Sequence, residues 1–193
     1  MKIELPTTAD DHRIAKLAAA AIGLTLAEAA IPSPLPGVKP GLANIVTLVV
    51  LARFGLGAAA WVSLLRVVAG SLLLGTFLSP TFVLSFSGAL VSLIALAAAH
   101  TLPARWFGPI THSVCAALAH IAGQLGVVFF WLIPHAGVAY LLPVFAGAAL
   151  LFGTLNGVAA AFLLARLPTL QPACDDREQA IQASAVFTNE RIR

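Results

Sequence analysis

Residues 81–102, TFVLSFSGALVSLIALAAAHTL, form an apolar run without a charged side chain. About 20 apolar residues cross the hydrocarbon core of a bilayer as an α-helix, so this run reads as a transmembrane helix. The rest of the chain has the same character. Of its 193 residues 60% are hydrophobic and only 10% charged, with a mean hydropathy of +0.95, whereas a soluble domain carries roughly 25% charge. The expected fold class is all-α, a polytopic integral membrane protein.

Outward from this run, Gly, Pro and charged residues divide the chain into apolar segments at 13–31, 42–54, 56–74, 81–102, 111–133 and 138–167. A six-transmembrane-helix bundle over residues 13–167 is expected, with a short cytoplasmic segment at 1–12 and a disordered polar tail at 168–193. The 13 residues of segment two reach only about 20 Å of a core about 30 Å thick. It is either a short helix inside the bundle or one continued from Val38. Between segments one and two lies PSPLPGVKPG, residues 32–41, stiffened by four prolines.

Cytoplasmic loops hold the excess of Lys and Arg. With the N-terminus inside and six crossings, Lys2, Arg13, Lys16, Arg53, Arg105, Arg166, Arg177, Arg191 and Arg193 are cytoplasmic, nine of the eleven basic residues. Lys39 falls outside and Arg66 lies within segment three, so both termini are expected in the cytoplasm. Trp106 and Trp131 fall near interfaces, as aromatic belts do. Segment one ends in the small-x-small pattern Ala27-Glu28-Ala29, but its length and the acid at Glu28 favour a retained helix over a cleaved signal peptide.

Segment one places Ala15, Ala19, Gly23 and Ala27 four residues apart. Such a smooth stripe lets another helix backbone approach closely, either in a partner or within the same chain. Ionisable and polar groups at membrane depth are costly and mark functional candidates. Glu28, Lys39, Asn44 and Arg66 all fall toward the outer half. Ser63 and Gly70 share the Arg66 side of segment three, so the guanidinium points into the bundle, where its donor fork suits a carboxylate or phosphate. The alternative is a buried structural pair with Glu28. In segment five His112, Ala116, His120 and Gln124 recur every four residues as one polar stripe. Asn156 lies between Gly153 and Gly157 in segment six. It is either interhelical glue or a ligand contact.

Other chemistry is disfavoured. Cys115 and Cys174 make neither a disulfide framework nor a zinc site, and no metal or other cofactor is expected. Without a phosphate-binding glycine loop, ATP-driven work falls to another subunit. Neither Asp10-Asp11 nor Asp175-Asp176 extends into the acid-x-x-acid cluster that would hold a magnesium diphosphate, so the chain is not expected to be an enzyme. The sparse, scattered charge also argues against a nucleic-acid partner.

The stretch PGVKPGLANIVTL at 36–48, followed by Ser63-Leu-Leu-Arg66 and GSLLLG at 70–75, resembles the bacterial Gx transporter family, also labelled heptaprenyl diphosphate synthase component I. FLSPTF at 77–82, residues 85–88 and AHIAGQL at 119–125 extend the resemblance, which covers residues 24–126. That family is similar in hydropathy to the S components of energy-coupling factor transporters, six-helix vitamin binders of the cytoplasmic membrane.

The resemblance implies that Ala15, Ala19, Gly23 and Ala27 dock onto a transmembrane coupling subunit served by ATPases. It implies also that Glu28, Lys39, Asn44, Arg66, His120, Gln124 and Asn156 surround an outward-facing pocket for a small anionic or amphipathic molecule. The N-terminus reads Met1-Lys2-Ile3 and departs from the Met-His hook of the cobalt and nickel members. The alternative expectation is a membrane accessory subunit in polyprenyl diphosphate or quinone metabolism.

Overall fold

A computed structural model describes residues 9–30, 41–101 and 108–166, and every regular element among them is helical. Five α-helices follow one another: α1 (Ala9–Ala30), α2 (Leu42–Leu73), α3 (Pro80–His100), α4 (Pro109–Val127) and α5 (Leu142–Arg166). A π-helical turn, Val128–Leu132, extends α4, and a 3-10 turn, Ala136–Leu141, leads into α5. Lys39 with the proline-rich loop up to Pro40, Trp106 and the tail from residue 168 lie outside the described residues. Four helical stretches are long and apolar enough to cross a membrane, Leu42–Leu73, Pro80–Ala99, Pro109–Leu132 and Gly137–Arg166. This is a membrane protein.

Segments two and three, read separately from the sequence, follow one another without a loop in α2, as two helical limbs that meet at Gly55. Gly55 takes φ 81° and ψ −178°, a conformation that glycine tolerates and other residues resist. The consequence is a reversal of direction. In a straight helix Leu42 and Gly70 would stand about 42 Å apart. Instead Glu28 accepts a hydrogen bond from the Leu42 N–H, while a Cβ on Gly70 would come 3.1 Å from Thr25 Cγ2. Thr25 and Glu28 are neighbours on α1, so residues 42–54 and 56–73 are antiparallel limbs.

Local chemistry explains the other boundaries. After α2, Gly75 is left-handed at φ 67°. Its N–H donates to Leu72 O at 3.2 Å and that of Thr76 to Ser71 O at 2.9 Å, the paired bonds that close a helix C-terminus. Ser79 caps α3 by accepting from Phe82 N at 3.3 Å, with Pro80 in the first turn. At α4 Gly108 offers no side-chain cap, and only the proline signal repeats, with Pro109 in the first turn where its missing N–H costs nothing.

The core is built of small and branched residues, among them Ala18, Ala21, Val50, Ala59, Val62, Leu96, Ala116 and Ala160. Large side chains such as Trp61, Leu73, Phe130, Leu151 and Phe162 are exposed, as expected where lipid is the solvent. Glycines set the closest helix approaches. A Cβ on Gly157 would lie 2.7 Å from Ile110 Cα, one on Gly153 3.1 Å from Val114 Cα, and one on Gly123 2.9 Å from Ser87 O. The first two belong to a Gly-x-x-x-Gly pair that seats α5 on α4.

Charge separates along the bundle. Arg13 and Lys16 stand in the first half of α1, and Arg53 Nη2 donates to Leu164 O at 3.1 Å. Arg166 lies over the Phe162 ring, 4.6 Å from its centroid. These groups share one end. The other end, where α1 finishes and α3 begins, carries no Lys or Arg among the described residues except Arg66.

Candidate functional site: a polar-lined cavity between the helices

The end holding Arg66 encloses a cavity of about 600 Å³, within the range of roughly 300–1,000 Å³ usual for small-molecule sites. Every helix contributes to it. Glu28, Asn44, Arg66, His120, Gln124 and Asn156, the described members of the polar set expected from sequence, all line it.

Glu28 and Asn156 are both buried and hold the start of α2. The Glu28 carboxylate accepts from the Leu42 N–H at the positive end of the helix. Asn156 Nδ2 donates to Gly41 O at 3.2 Å, and the same carbonyl accepts from Asn44 N at 2.8 Å. Gly41 is left-handed at φ 73°, and a Cβ there would stand 3.3 Å from Asn156 Nδ2. Thus Asn156 is both helix glue and cavity wall.

Arg66 enters from the second limb of α2. Its Nε is buried and has no hydrogen-bond partner in the structure, and Glu28 supplies the nearby negative charge. Across the cavity, His120 and Gln124 are joined by a 3.2 Å contact between His120 Nε2 and Gln124 Nε2. In that geometry the amide donates and the ring nitrogen accepts. The imidazole is seated on Gly88, where a Cβ would fall 2.8 Å from both its Cε1 and Nε2. Gly88→Val is therefore expected to push His120 off Gln124 and to cost about 1–3 kcal/mol through overpacking. A lowered thermal midpoint and a shifted His120 ring resonance in histidine-labelled protein would report it; unchanged ring signals would contradict the seating.

The polar stripe of α4 divides. His120 and Gln124 face the cavity, whereas His112 Nδ1 bonds to Gly108 O at 2.9 Å near the opposite end. Ser63 is buried outside the cavity lining, while Gly70 lies within it. Among the described residues no three His, Cys, Asp or Glu side chains gather as metal ligands.

Several lining residues escaped the sequence reading: Thr25, Ser71, Ser85 and Ser92, with Phe82, Phe145 and Phe152 as aromatic wall. A signal existed for two of them, since Ser85, Gly88 and Ser92 repeat at helical spacing on α3. The hydroxyls of Thr25 and Ser71 donate to their own helix, to Ala21 O at 2.9 Å and Val68 O at 2.8 Å. Their oxygens remain toward the cavity as acceptors.

On the outer face of α1 the four small residues Ala15, Ala19, Gly23 and Ala27 are all exposed. A Cβ on Gly23 would meet nothing within 4 Å. The stripe is not consumed by packing among the described residues.

The model of the family described as heptaprenyl diphosphate synthase component I matches residues 17–163. The chain belongs to this family. The match spans α1 to α5 and so includes the whole described lining of the cavity. No curated protein and no solved structure matches the chain.

Proposed function

We propose that the protein is the membrane-embedded substrate-binding subunit of a transporter, akin to the S components of energy-coupling factor systems. It captures a small anionic or amphipathic molecule in the Arg66 cavity. The observation that carries this reading is a guanidinium with an unpartnered Nε beside a 600 Å³ cavity. A cation held at membrane depth without its full set of acceptors is costly, and an anionic ligand would offset that cost.

In this reading the two limbs of α2 count as separate helices of a six-helix bundle, the first of which, with 13 residues, reaches only about 20 Å into the membrane. The end rich in Arg13, Lys16, Arg53 and Arg166 faces the cytoplasm, following the positive-inside rule. The cavity then opens outward in a bacterial cytoplasmic membrane, and the Ala15, Ala19, Gly23, Ala27 stripe faces a transmembrane coupling subunit powered by ATPases. The chain itself binds and does not catalyse.

The family description supports a second reading, an accessory membrane subunit in polyprenyl diphosphate synthesis, since "component I" implies a further component. Arg66 and Lys39 would then hold diphosphate. Isolation of the intact complex from its native membrane in mild detergent, followed by mass spectrometry, separates the two. A coupling subunit with two ATPases is expected, and a prenyl synthase without ATPases would establish the second reading instead. Arg66→Ala and His120→Ala are both expected to weaken ligand binding tenfold or more. Unchanged affinity in both would remove the cavity as the binding site.

A further inference from the structure

The lining of the cavity says how much charge its occupant can bring. Among the described lining residues there is one permanent cation, Arg66, and one acid, Glu28. The acid accepts from the Leu42 N–H at the N-terminus of α2, which carries roughly half a positive charge, and it also faces Arg66. The lining then keeps a surplus of roughly half a positive charge, which suits a single anionic group held by the paired donors of the Arg66 fork. A diphosphate would bring two or more negative charges beside the Glu28 carboxylate, with the hydroxyls of Thr25 and Ser71 already donating elsewhere and presenting acceptor oxygens. Like charges and facing acceptors in a poorly solvated site repel. The rest of the wall carries neutral polar groups, among them Asn44, Ser85, Ser92, His120 and Gln124, beside an aromatic face of Phe82, Phe145 and Phe152.

We infer that the cavity takes an amphipathic monocarboxylate, with the carboxylate on Arg66 and an apolar body against the phenylalanines, and discriminates against diphosphates. This rests on the reading of the cavity as a ligand site and deepens it by naming the ligand class.

The test uses the full chain in lipid nanodiscs with three probes: 5-phenylpentanoate, its methyl ester and geranyl diphosphate. Binding is measured for the wild type, for Arg66→Gln, and for Ser85→Phe, which fills the cavity without touching its charge. The monocarboxylate is expected to bind at least tenfold more tightly than either of the others. That preference should vanish in Arg66→Gln, and all cavity binding should vanish in Ser85→Phe. Tighter binding of geranyl diphosphate, lost in both variants, overturns the monoanion assignment while leaving the cavity as a ligand site. Absence of binding by all three probes, or binding indifferent to both variants, overturns the assignment and the cavity reading together. A circular dichroism spectrum and thermal midpoint matching wild type certify that each variant is folded.

Discussion

Gly157→Leu is expected to disrupt the bundle, lowering the thermal midpoint by several degrees or abolishing a monodisperse species in detergent. The substituted Cβ alone would stand 2.7 Å from Ile110 Cα and 3.0 Å from Ser113 Cβ. The first of these atoms is backbone, so no side-chain rotation relieves the contact and α5 must move away from α4. Overpacking of this kind costs about 1–3 kcal/mol, sometimes more. In a bilayer the loss is not offset by a hydrophobic drive to re-associate, because lipid is as apolar as the helix face. The displacement would also draw Asn156 off the Gly41 carbonyl and loosen the start of α2. Gly147→Leu is the matched control. It lies on the same helix, is exposed, and has nothing within 4 Å of the added Cβ, so its midpoint should stay at wild type. Equal midpoints for the two variants would show that the close α4–α5 approach contributes little.

How far the sequence revealed this arrangement depends on the kind of signal. The spans were legible because runs such as 81–102 lack charge, and a charge-free run of that length has few soluble alternatives. The interruption between Phe54 and Leu56 was legible from Gly55, but not that the chain reverses there without a loop, which depends on how both limbs pack on α1. The π turn after α4 and the 3-10 turn before α5 left no pattern in an all-apolar stretch.

For the site, rarity was the useful signal. Glu28, Asn44, Arg66, His120, Gln124 and Asn156 are among the few polar groups in apolar segments, and burial cost alone predicts that they share a polar interior. Serine and threonine hide from this reasoning because they can satisfy a hydroxyl within their own helix, as Ser71 does on Val68 O. The bond from Asn156 to Gly41 joins residues 115 positions apart, and only the fold brings them together.

Gly23→Leu is expected to do the opposite of Gly157→Leu: leave the protein folded and remove its partner. The residue is exposed on α1 and an added Cβ meets open space, so the midpoint and the binding of a monocarboxylate probe should match wild type. If the stripe of Ala15, Ala19, Gly23 and Ala27 receives a partner helix, the backbones approach there as closely as they do at Gly157, and a leucine wedge forces them apart. Recovery of the partner subunits from native membranes should fall at least tenfold. Exposure alone does not require this result, since a face turned to lipid is exposed as well. Small residues distinguish the two cases physically, because lipid contact sets no upper limit on side-chain size whereas close helix packing does. The decisive comparison is therefore Gly23→Leu beside Phe130→Leu, which alters a large exposed side chain in the turn after α4 without adding bulk to the stripe. Loss of partners in the first variant and their retention in the second would identify the stripe as the contact. Full recovery with Gly23→Leu would mean that α1 presents this face to lipid and that the partner, if there is one, binds elsewhere.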